Sequence, residues 1–235
     1  MANIADQYIE SIDLDNSTLL VSKDKLVNYF AKFTQYLTWP FLFVIFYIFF
    51  KIKISNRDVF DRVDRPFIII ANHTSFYDSF LFRIILGINT PHLPLRFMAV
   101  NSFESKFMNA FAYLGIVDFV YSLFGVFTVT LGLGIEKNLE KPLKIIEDGG
   151  NIVIYPEGRI VKQDEIGPFK NGASVLYKRT GVEVIPISIR KIRGFSIRPK
   201  IVINVGNKIE ISRNRSVEDI TKQFRNMIVS LYSKY

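Results

Sequence analysis

Several sequence features are missing from this chain, and each absence excludes some kinds of site or structure. The 235 residues include no cysteine, so disulfides, thiolate nucleophiles and thiolate metal sites are excluded. No Gly-x-Ser-x-Gly sequence marks a nucleophile elbow. There is no internal repeat or low-complexity linker. The first 15 residues lack the basic start and cleavage site of a secretory signal, and we expect the N-terminus to be retained.

The composition instead indicates an apolar and anionic environment. Hydrophobic residues make up 49% of the chain and 22 residues are Phe, which favours contact with membrane phospholipids. The net charge of +8 favours an anionic partner such as a lipid headgroup or a phosphate ester. Lys and Arg are dispersed and no nucleic-acid motif accompanies them, so we do not expect nucleic acid to be a partner.

The N-terminal region combines an amphipathic pattern with a short apolar run. After Ser22, which suits a helix N-cap, apolar residues recur at helical spacing opposite lysines and predict an amphipathic helix. The helix continues into residues 39–50, a run shorter than the ~20 residues needed to cross a bilayer. We expect this run to dip into one leaflet, with a full span and a buried core helix as alternatives. A second apolar stretch, 107–135, is predicted to be a core helix or interfacial surface because it carries Asp118.

Short apolar runs alternate with helical patterns in the rest of the chain, which predicts an α/β fold. We expect a single domain with a mostly parallel sheet flanked by helices, preceded by the membrane-associating helical leader. The predicted boundary divides residues 1–60 from residues 61–235. Buried strands are predicted at 66–71, 149–155, 182–189 and 200–205, and helices at 172–179 and 216–235.

A histidine and an aspartate follow the first of these strands directly. His73 and Asp78 belong to Asn72-His73-Thr74-Ser75-Phe76-Tyr77-Asp78, at the strand end where open α/β sheets collect active-site groups. An imidazole accepts protons near pH 7, and a carboxylate on its other nitrogen fixes the tautomer. The spacing therefore predicts a catalytic His–Asp pair.

A second polar segment follows the next predicted strand. Glu157, Gly158 and Arg159 combine a glycine turn with a guanidinium, which suits the binding of a phosphate. Lys170 stands just before a small-residue helix entry, where backbone N–H groups also attract anions. The alternative for Glu157, Gly158 and Arg159 is a turn with a surface arginine.

The order of these motifs resembles the lysophosphatidic acid acyltransferase family, the 1-acylglycerol-3-phosphate acyltransferases. The family pattern Asn-His-x-x-x-x-Asp is intact at 72–78, and Tyr-Pro-Glu-Gly-Arg at 155–159 is similar to its Phe-Pro-Glu-Gly-Thr-Arg. Phe-Lys-Asn-Gly-Ala at 169–173 and Val-Ile-Pro-Ile at 184–187 are similar to two further family blocks. The resemblance spans about residues 66–190.

By that resemblance, His73 would deprotonate the acceptor hydroxyl, Asp78 would orient His73, and Glu157, Gly158 and Arg159 would hold the acceptor near its phosphate. The resemblance implies a membrane-associated enzyme of phospholipid biosynthesis at the cytoplasmic face, monotopic or with a single N-terminal anchor. It implies an acyl-carrier-protein or coenzyme A thioester as acyl donor, with no metal and no cofactor.

Two departures from the family pattern leave the acceptor open. The Thr before Arg159 is missing, and the block at 125–130 lacks the arginine that the family places there. Lys137 or Lys170 could substitute for that charge. The acceptor is therefore lysophosphatidic acid or a related lysolipid. Two other functions remain open: a lipid hydrolase or thioesterase with Ser75 as nucleophile, and a non-catalytic membrane lipid-binding module.

Overall fold

The fold is that of a computed structural model, which describes residues 2–100, 116–130, 132–161, 165–192 and 197–234. The helices within these residues are α1 (Ala2–Phe49), α2 (Asp78–Leu86), α3 (Ile116–Leu123), α4 (Gly134–Glu147), α5 (Gly172–Thr180) and α6 (Val217–Tyr232). The strands are β1 (Lys51–Ser55), β2 (Phe67–Ala71), β3 (Leu95–Val100), β4 (Val126–Val129), β5 (Asn151–Ile154), β6 (Glu183–Ile192) and β7 (Lys200–Val205). A 3₁₀ helix, Arg57–Arg62, follows β1.

The strands of the described residues form one sheet in the order β1-β7-β6-β2-β5-β3-β4. Neighbouring strands are parallel except for β6 and β7, which are antiparallel. β2 lies between β6 and β5, where Ile69 is opposite Ile185 on one side and Val153 on the other. The predicted α/β domain with a mostly parallel sheet flanked by helices is therefore confirmed.

Both faces of β2 are buried, which explains why its sequence is an unbroken apolar run. Successive side chains point to opposite faces of a strand. Phe67 and Ile69 pack into a core cluster with residues of α2 and the end of α1, whereas Ile68 and Ile70 pack into a second cluster with α4, α5 and α6. The sheet thus holds the end of β2 rigidly between two packed layers.

The sequence pattern located the central strands and the later helices. The predicted strands at 66–71, 149–155, 182–189 and 200–205 correspond to β2, β5, β6 and β7. The helix predicted at 172–179 is α5, and the C-terminal helix is α6. Ser216 caps α6, because its hydroxyl oxygen accepts the backbone N–H of Asp219 at 3.1 Å.

Strands β1, β3 and β4 were not predicted from the sequence. β1 is a short edge strand in which lysine and isoleucine alternate, and it pairs along its whole length with β7. The domain boundary near residue 60 stays a prediction. The structure adds that β1, which lies before that boundary, is part of the sheet.

Helix α1 begins at Ala2 instead of after Ser22. No Gly or Pro stands between residues 2 and 39 to interrupt it, and it continues through Pro40. Its second half contacts the rest of the domain. The buried Gln35 side chain accepts the backbone N–H of Leu95 at 3.0 Å and donates to the carbonyls of Leu95 and Phe124 at 2.8 and 2.9 Å.

The outer surface of α1 from residue 26 to residue 49 is unusually apolar for a helix on a protein surface. Exposed apolar side chains in this part of the helix include Leu26, Tyr29, Phe30, Phe33, Leu37, Phe41, Val44, Ile45, Ile48 and Phe49. Among the described residues, no helix combines the length and the hydropathy that a membrane span requires. Of the second apolar stretch, residues 107–115 and 131 lie outside the described residues, and the rest forms α3, β4 and the start of α4.

Candidate active site

The loop after β2 is fixed to the neighbouring strand by a buried amide. The Asn72 side chain is fully buried, donates to the carbonyl of Ile189 at 2.9 Å and accepts the backbone N–H of the same residue at 2.8 Å. The two hydrogen bonds of the amide therefore take the place of backbone pairing with β6 beyond the end of β2. The next residue, His73, leaves the sheet at a defined position.

His73 and Asp78 form the pair that the sequence predicts. Asp78 is the first residue of α2, and its Oδ2 lies 3.2 Å from Nδ1 of His73. The imidazole is 18% exposed, whereas the carboxylate is completely buried. The histidine is thus open to a substrate, and the aspartate is not.

Asp78 is held as a carboxylate by the groups around it. Oδ2 accepts the backbone N–H groups of Thr74 and Ser75, each at 2.7 Å, and Oδ1 accepts the Ser75 hydroxyl at 2.6 Å. Burial acts to raise the pKa of Asp78. The hydrogen bond from His73, the charge and hydrogen bond of Lys191 and the Ser75 hydroxyl outweigh it and lower the pKa to about 2.

An ionised Asp78 determines the tautomer of His73. A carboxylate is an acceptor only, so Nδ1 of the imidazole must carry the proton in the hydrogen bond between them. Nε2 is then left with a free lone pair. This is the arrangement that a neutral imidazole needs to take a proton from a substrate.

Glu157 holds the backbone of His73 in place. It is 4% exposed, its Oε2 accepts the backbone N–H of His73 at 2.7 Å, and its Oε1 accepts that of Gly167 at 2.8 Å. Burial raises the pKa of Glu157, although these two hydrogen bonds oppose the shift. The sequence predicts Glu157 as an acceptor contact, whereas here both of its oxygens face backbone N–H groups. A direct contact with the acceptor stays a prediction.

Tyr155 supports the imidazole ring. The rings of Tyr155 and His73 are stacked, with centroids 4.0 Å apart and an angle of 16° between their planes. The Tyr155 hydroxyl lies 3.1 Å from the Ser79 hydroxyl. Burial raises the pKa of Tyr155 well above its ordinary value, so the phenol stays protonated.

Gly158, Arg159 and Lys170 lie together, as the motif order predicts. Gly158 has a φ of 64°, which glycine adopts without strain, and its N–H donates to the carbonyl of Tyr155 at 2.9 Å. Arg159 and Lys170 are exposed and line the same cavity as His73. The structure thus brings both of these predicted cations to the cavity that contains the imidazole.

This cavity has a volume of about 1220 Å³ and extends between α1, α2, α3 and the strands β3 and β4. Its volume exceeds the roughly 300–1,000 Å³ of typical ligand pockets. Apolar side chains dominate its wall: Leu42, Phe76, Phe80, Phe97, Val120 and Phe124. His73, Arg159 and Lys170 contribute polar groups to the same wall. The cavity can therefore hold a molecule with a long apolar part and an anionic part.

The sequence reasoning missed one buried charge beside the pair. Lys191, near the end of β6, donates from Nζ to Oδ1 of Asp78 at 2.8 Å. Its spacing in the sequence was the available signal. Every second residue of a strand points to the same face, which places Lys191 on the face of the buried Ile187 and Ile189. Within the described residues, no group of three or more His, Asp or Glu side chains is arranged to hold a metal ion.

This α/β protein thus carries a His–Asp pair at the carboxyl edge of a mostly parallel sheet, and the histidine of the pair lines an apolar cavity. The family model described as Acyltransferase matches residues 51–190, and this chain belongs to that family. The family resemblance drawn from the sequence motifs is thereby confirmed.

Two curated relatives are similar to the chain in sequence. The chain is 25% identical over 166 residues to the chloroplastic 1-acyl-sn-glycerol-3-phosphate acyltransferase BAT2 of Brassica napus, covering 69% of this chain and 44% of that protein. It is 26% identical over 165 residues to the chloroplastic 1-acyl-sn-glycerol-3-phosphate acyltransferase LPAT1 of Arabidopsis thaliana, covering 68% and 42%. The chain thus spans less than half the length of these two relatives.

The structural comparison concerns the fold. The crystal structure of the 1-acyl-sn-glycerophosphate (LPA) acyltransferase PlsC from Thermotoga maritima is similar, with a TM-score of 0.58 and 17% identity. The match covers 97% of this chain and 89% of that chain. The two chains therefore share a fold along nearly their whole lengths.

Proposed function

We propose that this protein is an O-acyltransferase that moves a fatty acyl group from a thioester to the hydroxyl of a lysophospholipid. One observation carries the proposal: His73, backed by the ionised Asp78, faces the same apolar cavity as Arg159 and Lys170. An imidazole base, an apolar channel and two cations are the groups that acyl transfer to an anionic lipid requires. The curated relatives carry the name of this activity.

The reaction would begin with proton removal by His73. Nε2 takes the proton of the acceptor hydroxyl while that oxygen attacks the thioester carbonyl carbon. The carbon–sulfur bond of the tetrahedral intermediate then breaks, and the thiolate takes the proton from Nε2. Asp78 stabilises the imidazolium that exists between these steps. The products are an ester and a free thiol, and no acyl-enzyme is formed.

The substrates follow from the cavity and its charges. We assign the apolar part of the cavity to the acyl chain, and Arg159 and Lys170 to the phosphate of lysophosphatidic acid or a related lysolipid. The donor is a thioester of acyl carrier protein or coenzyme A. Ser75 donates its hydroxyl to Asp78 instead of to His73, which favours direct transfer over a hydrolase with a Ser75 nucleophile.

The leader of residues 1–60 is proposed to hold residues 61–235 against a membrane. Support comes from the exposed apolar surface of α1, together with the exposed Lys25 and Lys32 on the same helix. Phe76, in the loop between His73 and Asp78, is 75% exposed, so an apolar contact could extend to the cavity. A lipid acceptor would then reach His73 without crossing water.

The experiment that tests the function measures transfer of a labelled acyl group from acyl carrier protein and from coenzyme A to a panel of lysolipids in detergent micelles. We expect a diacyl product with lysophosphatidic acid or another phosphorylated lysolipid in the panel. Release of free fatty acid without a diacyl product would instead favour a thioesterase. Lipid binding without turnover would favour a non-catalytic module.

The substitution Arg159→Ala is expected to raise the KM for the acceptor about tenfold while changing kcat less than about threefold. The reason is that an exposed guanidinium at the cavity contributes a charge-assisted contact to the acceptor phosphate, of roughly 1.5 kcal/mol. Steady-state kinetics at varied acceptor concentration measure the effect. The matched control is Arg62→Ala, an exposed arginine on the 3₁₀ helix that pairs only with Asp58 among the described contacts. An unchanged acceptor KM would remove Arg159 from this role.

The double substitution Phe33→Ser and Phe41→Ser is expected to weaken binding to phospholipid vesicles at least tenfold. Both side chains are more than half exposed on α1, so their removal costs contact with lipid without opening the core. Co-flotation with vesicles measures binding, and circular dichroism checks folding. Changing the exposed Glu218 and Lys222 of α6 to serine keeps the net charge and serves as the control. Equal flotation of all three proteins would exclude this helix surface as the anchor.

A further inference from the structure

Lys191 is a buried cation that the proposed reaction does not use. It lies on the part of β6 that reaches beyond the end of β2, and its side chain is only 4% exposed. Burying an ammonium costs several kcal/mol unless a charged partner compensates for it. A lysine in this position therefore needs a specific partner, and the partner is the carboxylate of Asp78.

Among the described residues, the hydrogen bonds and the ring contact of the Lys191 side chain are with residues 75–78. Its Nζ lies 2.8 Å from Oδ1 of Asp78, contacts the hydroxyl oxygen of Ser75 and lies 4.2 Å from the centre of the Tyr77 ring. Oδ2 of Asp78 is the oxygen that faces His73. Lysine and histidine thus occupy different oxygens of one carboxylate.

We propose that Lys191 is a positioning residue, which fixes the orientation of the Asp78 carboxylate and balances its charge so that His73 remains a neutral, correctly oriented base. The proposal rests on the proposed acyltransferase function, because it assigns Lys191 to the same reaction. Lys191 acts through Asp78 and does not touch the substrate.

The orientation follows from the geometry. With Oδ1 held by Lys191 and Ser75, the carboxylate cannot rotate without breaking an ion pair and a hydrogen bond. Oδ2 therefore stays directed at Nδ1 of His73. This matters because a small error in the orientation of a catalytic group can lower the rate by about a hundredfold.

The charge balance follows from the charged groups at the Asp78 carboxylate and around the imidazole. Asp78 contributes a negative charge from α2, and Lys191 contributes a positive charge from β6. Without Lys191, the unbalanced carboxylate would favour the imidazolium, which cannot accept a proton. The other titratable or charged groups near the ring, on the loop of residues 155–170, are Tyr155, Glu157, Arg159 and Lys170.

The variants that test this role separate charge from hydrogen bonding. Lys191→Gln removes the charge but keeps a hydrogen-bond donor on a side chain one bond shorter. Lys191→Arg keeps the charge, and Lys208→Gln removes a surface lysine that is paired with Glu183. For Lys191→Gln we expect a loss of kcat of about 30-fold, an acceptor KM within about threefold of the wild type, and an acidic limb of the pH–rate profile that lies at higher pH. Lys191→Arg should recover at least a third of the wild-type rate, and Lys208→Gln should match the wild type.

A merely structural role for Lys191 would give different results. Lys191→Gln would then lower the melting temperature and leave the pH–rate profile of the folded enzyme in place, which would overturn the proposal. A folded Lys191→Arg protein that is as inactive as His73→Ala would overturn it as well. The arginine variant therefore keeps the proposal testable if Lys191→Gln does not fold.

A measurement without substrate separates this proposal from the proposed function. The chain has two histidines, so the ¹⁵N resonances of His73 can be assigned by comparison with a His73→Ala sample. We expect the wild type and Lys191→Arg to carry the His73 proton on Nδ1, and Lys191→Gln to show a mixture of states at the same pH. Identical spectra for all three would overturn the role of Lys191 even if acyl transfer is observed. The expected spectra in a protein without acyl transfer would support the role and contradict the function.

Discussion

His73→Ala is expected to lower the kcat of acyl transfer by about 10²–10⁴-fold, because the substitution removes the group that takes the acceptor proton. The ring is 18% exposed and lines the cavity, so the alanine variant leaves space for substrate where the base stood. The KM for the acceptor should change by less than about threefold, since the proposed phosphate contacts are on other residues. Steady-state transfer from the labelled thioester to the lysolipid measures both constants.

The same substitution should leave the fold intact. His73 contributes one side-chain hydrogen bond and one stacked ring, and we expect the free energy of unfolding to fall by about 1 kcal/mol. His92→Ala is the matched control. His92 is buried, its Nε2 lies 2.7 Å from the carbonyl of Phe60, and its ring packs against Phe67. His92→Ala should lower the free energy of unfolding by about 1–3 kcal/mol, and the kcat per folded molecule should change little. Normal turnover by His73→Ala would exclude the base mechanism.

The sequence predicted the central part of the fold because burial leaves a strong pattern there. β2 is covered on both faces, so it had to be a continuous apolar run, and His73 follows directly where it ends. β1 escaped prediction because it is an edge strand with lysines pointing outwards, and five residues beside an apolar helix carry little signal. The start of α1 was misplaced because Ser22 resembles an N-cap, although nothing before it interrupts a helix.

The candidate site was predictable only as far as residues lie close in sequence. His73 and Asp78 are separated by one loop, so a local motif was enough to identify them. Glu157 meets the backbone of His73 across 84 positions, and Lys191 meets Asp78 across 113 positions. Such contacts depend on which strands are neighbours in the sheet, and the order β6-β2-β5 could not be read from the sequence. The sequence could therefore identify Glu157 as a site residue, but it could not predict that Glu157 accepts the backbone N–H of His73.

Asp78→Asn is expected to reduce both the rate and the stability, unlike His73→Ala. An asparagine has one acceptor oxygen, whereas Asp78 uses both of its oxygens as acceptors. Oδ2 faces Nδ1 of His73 and accepts the backbone N–H groups of Thr74 and Ser75. Oδ1 accepts hydrogen bonds from the Ser75 hydroxyl and from the Lys191 ammonium. In either orientation, the new amide NH₂ group would face hydrogen-bond donors. We expect kcat to fall by about 10²–10⁴-fold through loss of the His73 orientation, which steady-state transfer assays measure.

The stability loss should be about 3–5 kcal/mol, because the substitution leaves the buried ammonium of Lys191 without a counter-charge. Urea unfolding measures it. Asp58→Asn is the matched control, because Asp58 forms an exposed ion pair with Arg62. This substitution should lower the free energy of unfolding by less than about 1 kcal/mol. Adding Lys191→Met to Asp78→Asn should recover at least about 1 kcal/mol, because no buried cation is then left unpaired, while activity stays low. A double variant less stable than Asp78→Asn alone would contradict the ion-pair explanation.

The stability difference between wild type and Asp78→Asn should also depend on pH. The pKa of Asp78 is lowered from 3.8 to about 2 in the folded protein, so its ionised form favours folding at every pH above its unfolded value. That contribution, roughly 2 kcal/mol, is lost progressively as the pH falls from about 4 through about 2, because the carboxylate then becomes protonated in the folded protein as well. Asp78→Asn lacks this titration, so the difference in unfolding free energy between the two proteins should shrink by roughly 2 kcal/mol in acid. A difference that stays constant from pH 6 to pH 2 would mean that Asp78 stabilises the fold by its shape and not by its charge.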